Sequence, residues 1–271
     1  MTDLNPQARE MADESMVRNL DAQARAIWPQ ESALIRRYGL PDDVRILDAG
    51  CGTGEAASRL AELFPRAEVL GVDIIDAHLA LARSRYAALG PRLRFEHQSI
   101  FELPAPDATY DLTVCRHVLH SVPYPERVIA GLARVTKPGG RLHLLPEDYG
   151  MLDFQPGPLD PSRWWLDAAT DYGHSTATDL FIGRNAYSIL YDLGCTDITV
   201  DYVIVDTLRV PRETFAGILT AWRDGYVDSI AERTRFDAPT VRAHFDQMIA
   251  DIRDPRRYAA WMVPIVAARV P

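Results

Sequence analysis

Positive charge is scarce in this chain. Lysine occurs once, as Lys137, and 29 basic residues stand against 38 acidic ones for a formal charge of −9 over 271 residues. Nucleic acid calls for a basic surface, so no nucleic-acid partner is expected. No sustained run of about 18 apolar residues occurs, so no membrane-spanning helix is expected and no membrane partner with it. The three cysteines, Cys51, Cys115 and Cys195, are far apart and form no CxxC, which argues against a disulfide framework and a zinc site. The opening MTDLNPQAREMADESM is polar, without an apolar signal core, and the expectation is a cytoplasmic protein. Repeats and low-complexity tracts are absent as well.

What is present is organised around Val44 to Leu63, VRILDAGCGTGEAASRLAEL. Val44 to Leu47 is too short for a helix and reads as a buried strand, closed by Asp48. Gly50, Cys51, Gly52, Thr53 and Gly54 make a loop almost without side-chain bulk. From Glu55 the apolar spacing becomes helical, with Ala56, Leu60 and Leu63 on one face. Strand, glycine-rich turn and helix are the first half of a nucleotide-binding βαβ unit, whose helix start offers free N–H groups to a polar ligand. A dinucleotide fingerprint needs a third glycine where Glu55 stands, and a P-loop needs Gly-Lys-Ser/Thr. Both are missing. The next strand, Glu68 to Val72, runs into Asp73, a carboxylate placed to take the two ribose hydroxyls of an adenosine.

The rest of the chain alternates. Strands are expected near 44–48, 67–73, 92–96, 111–115 and 141–145, with helices near 54–64, 76–89 and 125–136, which predicts a parallel, doubly wound sheet. Residues 7 to 40 read as helical, interrupted at Trp28-Pro29, able to pad the core or lie across the ligand crevice. Pro138-Gly139-Gly140 reads as a tight turn. Residues 148–195, rich in Pro, Gly, Asp and aromatics at their start, read as a lid. Thr196 to Val205 alternates as a sixth strand, 211–253 as two helices with Pro239 opening the second, and a last strand should start at or after Pro264. The division expected is a helical cap at 1–40, a binding core at 41–147, the lid, and C-terminal strands with a helical insertion at 196–271.

An acid before GxGxG, with an acid at the next strand tip, resembles motif I of the class I S-adenosylmethionine-dependent methyltransferases. Lys137 to Gly140, KPGG, resembles that family too, and the likeness covers about Val44 to Glu147. It implies an α/β fold with a doubly wound, mostly parallel seven-stranded sheet, S-adenosylmethionine as cofactor and a small-molecule acceptor, with the existence of a homodimer left open. Asp48 would hold the methionine ammonium with carbonyls around Gly50 and Gly52, and Cys51 would fill the loop as a small residue. Asp73 would bind the ribose diol, Ile74 would pack on adenine, and Ile100 would border it. Ser99 stands where the family usually has an aspartate for the adenine amino group. Arg116 and His117 should sit beside the methionine end. Cys115-Arg116-His117-Val118 carries neither the N/D/S-P-P-Y/F cluster of amino-methylating DNA enzymes nor an aspartate as magnesium ligand, so no metal is expected.

Methyl transfer from a sulfonium needs alignment, exclusion of water and removal of one proton. His117 and His120, three apart at an expected helix start, are the base candidates, with His120 favoured. His143 reads as a core histidine. Glu147, Asp148 and Tyr149 leave the end of the fifth strand, where open α/β sheets bind ligands. Asp148 and Tyr149, together with Trp28 and Trp164, are the acceptor-contact candidates. The expected function is N- or O-methylation of an aromatic or amine-bearing metabolite. The alternatives are C-methylation and a non-catalytic protein of the same fold that binds the cofactor.

Overall fold

The computed structural model describes residues 5–271. Five strands, β1 (Arg45–Ala49), β2 (Glu68–Asp73), β3 (Leu93–His97), β4 (Tyr110–Arg116) and β5 (Thr136–Leu145), run parallel in the order β3-β2-β1-β4-β5. Adjacent residues of a strand serve opposite faces. Ile46 packs with Leu60, Leu79 and Leu112 beneath α3 (Glu55–Leu63) and α4 (Asp76–Arg85), whereas Leu47 packs with Ile129 and Leu142 on the side of α5 (Pro125–Val135). Helices thus cover both faces, and the strand tips at one end are left to a ligand.

Beyond β5 the sheet turns antiparallel. β8 (Ala259–Arg269) runs beside β5 from Leu144↔Val266 to Arg141↔Arg269, and β7 (Thr196–Asp206) lies along its other side. An unexpected short strand, β6 (Leu152–Phe154), pairs with the start of β8 at Leu152↔Trp261, so the sheet has eight strands among the described residues rather than the expected seven. Pro264 lies inside β8, contrary to the expected start. It faces Tyr202 on one side and, on the other, the gap between the β6 and β5 pairings, where no strand needs its missing N–H.

Above the strand tips stands a cap of α1 (Ala8–Met11), α2 (Glu14–Arg36), α6 (Pro161–Thr176), α8 (Arg212–Arg233) and α9 (Ala238–Arg253). α2 packs on α8, and α8 on α9 and α6. α2 does not break at Trp28-Pro29. The proline removes one rung at a cost of about 3 kcal/mol, but Ile27, Glu31, Leu34 and Ile35 are buried around it and hold the helix on the fold. Gln30 next to it exchanges two hydrogen bonds with the Ile204 backbone, at 2.9 and 3.1 Å. Similarly, KPGG is not a free turn: β5 begins at Thr136, opposite Tyr110, and Gly139 (φ +76°) lies at the irregularity that follows. The segment expected as a lid supplies β6, α6 and α7 (Ile182–Asp192), and Trp164 and Trp165 are buried in the cap's core. No described helix is long and apolar enough to cross a membrane.

Candidate active site

The glycine loop is stapled to the end of β2. The N–H groups of Gly50 and Cys51 both donate to the Val72 carbonyl, at 2.8 and 2.9 Å. Gly50, Gly52 and Gly54 all have positive φ, +78°, +51° and +83°. A Cβ on Gly50 would fall 2.4 Å from Val118 Cγ2, and one on Gly52 would fall 2.9 Å from Leu20 Cδ1. Glycine is therefore favoured by conformation, and any side chain there would press on Val118 or Leu20. Asp73 closes the arrangement: its Oδ2 accepts from Gly52 N at 2.8 Å and its Oδ1 from Ile75 N at 2.9 Å, leaving each oxygen a second lone pair.

Along this loop runs a crevice of about 410 Å³ that brings together Gly50, Gly52, Asp73, Ile74, Ser99, Ile100, Arg116 and His117 from four strand tips. Ser99 Oγ accepts from Phe101 N at 3.3 Å, which shapes the turn. On the loop's other side a small hollow of about 30 Å³ adjoins Asp48, Cys51, Arg116 and His117. Asp48 is buried and its Oδ2 has no partner. Burial lifts its carboxyl to about 7; Arg116 opposes this, while Glu31 and Asp73 add to it. Burial also raises the Cys51 thiol, which makes it an inert filler. An orphaned carboxylate oxygen beside a cradle that side chains would fill suits a ligand with an ammonium and an adenosine, so the residues present fit S-adenosylmethionine.

Arg116 is held from behind by a residue the sequence reading missed. Glu31, on α2, receives its guanidinium on both oxygens, at 2.7 and 2.8 Å. His143 Nε2 donates to the same carboxylate at 3.1 Å, and Tyr38 donates to His143 Nδ1 at 2.7 Å. Burial by itself would raise Glu31, but the Arg116 charge and the His143 bond outweigh it and hold the carboxyl at about 2. His143 is indeed a core histidine. No local signal marks Glu31, because its partners lie 85 and 112 positions away.

A second cavity, of about 80 Å³, lies under the cap. His117, His120, Glu147, Tyr149 and Trp165 line it, with Leu20 of α2 and Trp222 of α8. His117 and His120 sit in the irregular loop before α5 rather than at a helix start, and His117 has φ +55°. Its N–H donates to Leu145 O at 3.0 Å, and its Nδ1 donates to the Glu147 carboxylate, leaving Nε2 without a partner. His120 is buried and makes a T-shaped contact with Tyr149, ring centroids 5.4 Å apart. Burial lowers its pKa to about 4, Glu147 opposing and His117 adding.

Three acceptor-contact candidates are not in this cavity. Trp28 packs against the core formed with Ile35 and Ile46, because its side of α2 faces the sheet. Asp148 is buried but committed: both oxygens bind Arg184 at 2.7 Å, and Oδ1 accepts from Gly150 N. Trp164 stacks on His244, at 4.6 Å and 12°, while its neighbour Trp165 lines the cavity. One residue is about 100° of helix rotation, which turns the first indole away.

Residues 46–140 match the family described as "Methyltransferase domain". Residues 46–140 carry a methyltransferase domain, similar to those of the class I, S-adenosylmethionine-dependent family. Demethylmenaquinone methyltransferase of Deinococcus radiodurans is 38% identical over 101 residues, 37% of this chain and 42% of that protein. The matched stretch spans between 24% and 43% of the length of the first three curated relatives. Among solved structures, Haemonchus contortus phosphoethanolamine N-methyltransferase 2 in complex with S-adenosyl-L-methionine superposes with a TM-score of 0.59. Its identity is 19%, over 97% of this chain and 60% of that one. The [4+2]-cyclase SpnF superposes with a TM-score of 0.54 at 22% identity, over 92% and 85% of the two chains. These two likenesses concern the fold. In this domain His117 is the one titratable side chain, among the described residues, that lines both the crevice and the cavity.

Proposed function

We propose that the chain transfers the methyl group of S-adenosylmethionine to a nitrogen or oxygen of a small molecule held under the cap. The observation that carries this is His117, placed between crevice and cavity, with Glu147 on one ring nitrogen and the other unpartnered. Bound in the crevice, the cofactor would supply an electrophilic methyl carbon. Asp48 would hold the methionine ammonium and Asp73 the ribose diol, Ile74 and Ile100 would flank adenine, and Ser99 would accept from its amino group. Arg116, fixed by Glu31, lines the methionine end. The cap, through Leu20 and Trp222, keeps water from the reacting atoms.

Glu147 fixes the tautomer in which His117 Nε2 carries a lone pair, and stabilises the imidazolium formed when that nitrogen takes the acceptor's proton. His120, favoured from sequence, is a weak base, since a conjugate acid near pKa 4 holds a proton poorly at neutral pH. The test is turnover against pH in wild type, His117→Ala and His120→Phe. Loss in the first variant, with S-adenosylhomocysteine affinity kept, is expected; near-normal turnover there removes His117 as base. A second reading, a protein of this fold that transfers no methyl, draws on the likeness to a structure described as a cyclase. Release of S-adenosylhomocysteine during turnover separates the two.

A further inference from the structure

The cavity under the cap has an unusual charge inventory. Among the described residues no arginine or lysine lines it, and the one carboxylate that does is Glu147. Arg233 lies on the ring of Tyr172, 5.8 Å from its centroid, but is not part of the lining. The walls are Met16, Leu180, Ile230, Phe245 and the indoles of Trp165 and Trp222. A carboxylate or phosphate entering here would shed its water, meet no cation and approach Glu147. Burying a charge in that way costs several kcal/mol.

The buried, unpartnered polar atoms of the lining side chains are mostly acceptors in want of donors. Asn19 Oδ1, Gln23 Oε1 and Glu147 Oε2 are buried without a partner, and so is His117 Nε2, whose ring already donates through Nδ1. Trp165 Nε1 is an unpartnered donor in the same wall, and His120 Nδ1, a donor or an acceptor according to the tautomer, is unpartnered too. Buried polar groups in native proteins have partners, so a set like this marks what a ligand must bring. It must bring several O–H donors and an oxygen that can accept, and no formal charge. A protonated amine is the weaker match. Trp165 and Trp222 stack on each other at 5.6 Å and 15°, so their rings do not open into a box of faces that a cation would fill.

We propose that the methyl acceptor is an uncharged, hydroxylated aromatic compound, bound with its hydroxyls toward Asn19, Gln23 and the His117–Glu147 pair and its ring against Trp165 and Trp222. The word acceptor rests on the methyl-transfer reading, whereas the binding preference is measurable without turnover. The probes are four single-ring compounds: catechol, salicylate, phenyl phosphate and benzylammonium. Each is titrated into the protein with and without saturating S-adenosylhomocysteine, following the indole N–H resonances of Trp165 and Trp222.

Catechol is expected to bind about tenfold or more tightly than each charged probe, a difference of about 1.4 kcal/mol. Asn19→Lys, which puts a cation in the wall, should reverse the order of catechol and salicylate. Equal or tighter binding of salicylate, phenyl phosphate or benzylammonium to the wild type overturns the proposal, as does catechol leaving the Trp165 resonance unmoved. Calorimetry with S-adenosylhomocysteine on the same sample keeps the two readings apart. Absence of cofactor-product binding would remove the methyl-transfer reading, while the order of the four probes still decides what the cavity selects.

Discussion

The crevice and the cavity meet at His117 but are built on different plans. The crevice comes from strand tips and the loops that follow them, and its glycine loop and Asp73 are held by backbone hydrogen bonds. Asp73 accepts two backbone N–H groups, and the glycine loop is bonded to Val72. The cavity comes from α1, α2, α6, α8, α9 and the ends of β4 and β5, and several of its polar atoms are orphaned. Its closure includes a bond from Tyr226 to Gln7 across 219 positions, at 3.1 Å. The crevice is thus a preformed mould, and the cavity is a polar set that a ligand has to complete.

The largest effect is expected where the two regions touch. His117→Ala should lower turnover by about 10² to 10⁴ while calorimetry finds the affinity for S-adenosylhomocysteine nearly unchanged. A matching loss of cofactor affinity would place His117 in the crevice alone. Next comes Glu31, the anchor that ties the cap helix to the crevice. Glu31→Ala leaves Arg116 and His143 buried without their carboxylate, and should cost about 3–5 kcal/mol in urea unfolding. A loss below about 1 kcal/mol, the scale of a surface pair, would mean that the cap docks independently of the crevice.

His120 sharpens the contrast by pH. Its pKa falls from 6.5 to about 4 on folding, so the unfolded chain binds the extra proton between those values. The stability due to its neutral, buried form is complete above pH 6.5 and is lost as pH falls toward 4, in total on the order of 3 kcal/mol. His120→Phe should remove that slope from stability measured across this window, and an unchanged slope would assign the protons elsewhere. Gly52→Val acts on the glycine loop of the crevice. It places a β-branched residue at φ +51° against Leu20. Thermal unfolding should therefore lose the stabilisation that cofactor product gives, about 2.7 kcal/mol at a hundred times its dissociation constant. The smallest effect is expected for a pair of neighbours. Trp165→Phe should raise the KM for the acceptor, and Trp164→Phe should leave it unchanged, because only the former faces the cavity.

How far the chain can be read without its structure follows from how local each interaction is. The βαβ alternation, the glycine loop and the acid after β2 were legible because each depends on residues within a few positions, where spacing states periodicity and glycine states backbone freedom. Asp48, Gly50, Cys51, Gly52, Asp73, Ile74, Ser99, Ile100 and Arg116 accordingly fall around the crevice and its adjoining hollow. The errors lie where distant packing outweighs local preference. Pro29 continues a helix because buried neighbours hold it, and Pro264 sits in a strand because a gap in the sheet spares its N–H. Trp164 and Trp165 have the same composition and neighbourhood in sequence, and only the rotation of α6 against α8 and α9 sends one to His244 and the other to the cavity. Glu31 gives no local sign of its role, since what makes it an anchor is the arrival of Arg116 and His143 from β4 and β5. Local sequence determined where a nucleoside-like ligand would lie. Tertiary packing alone decided what stands opposite it, because a cavity is made by side chains brought together from remote elements and no short spacing encodes their meeting.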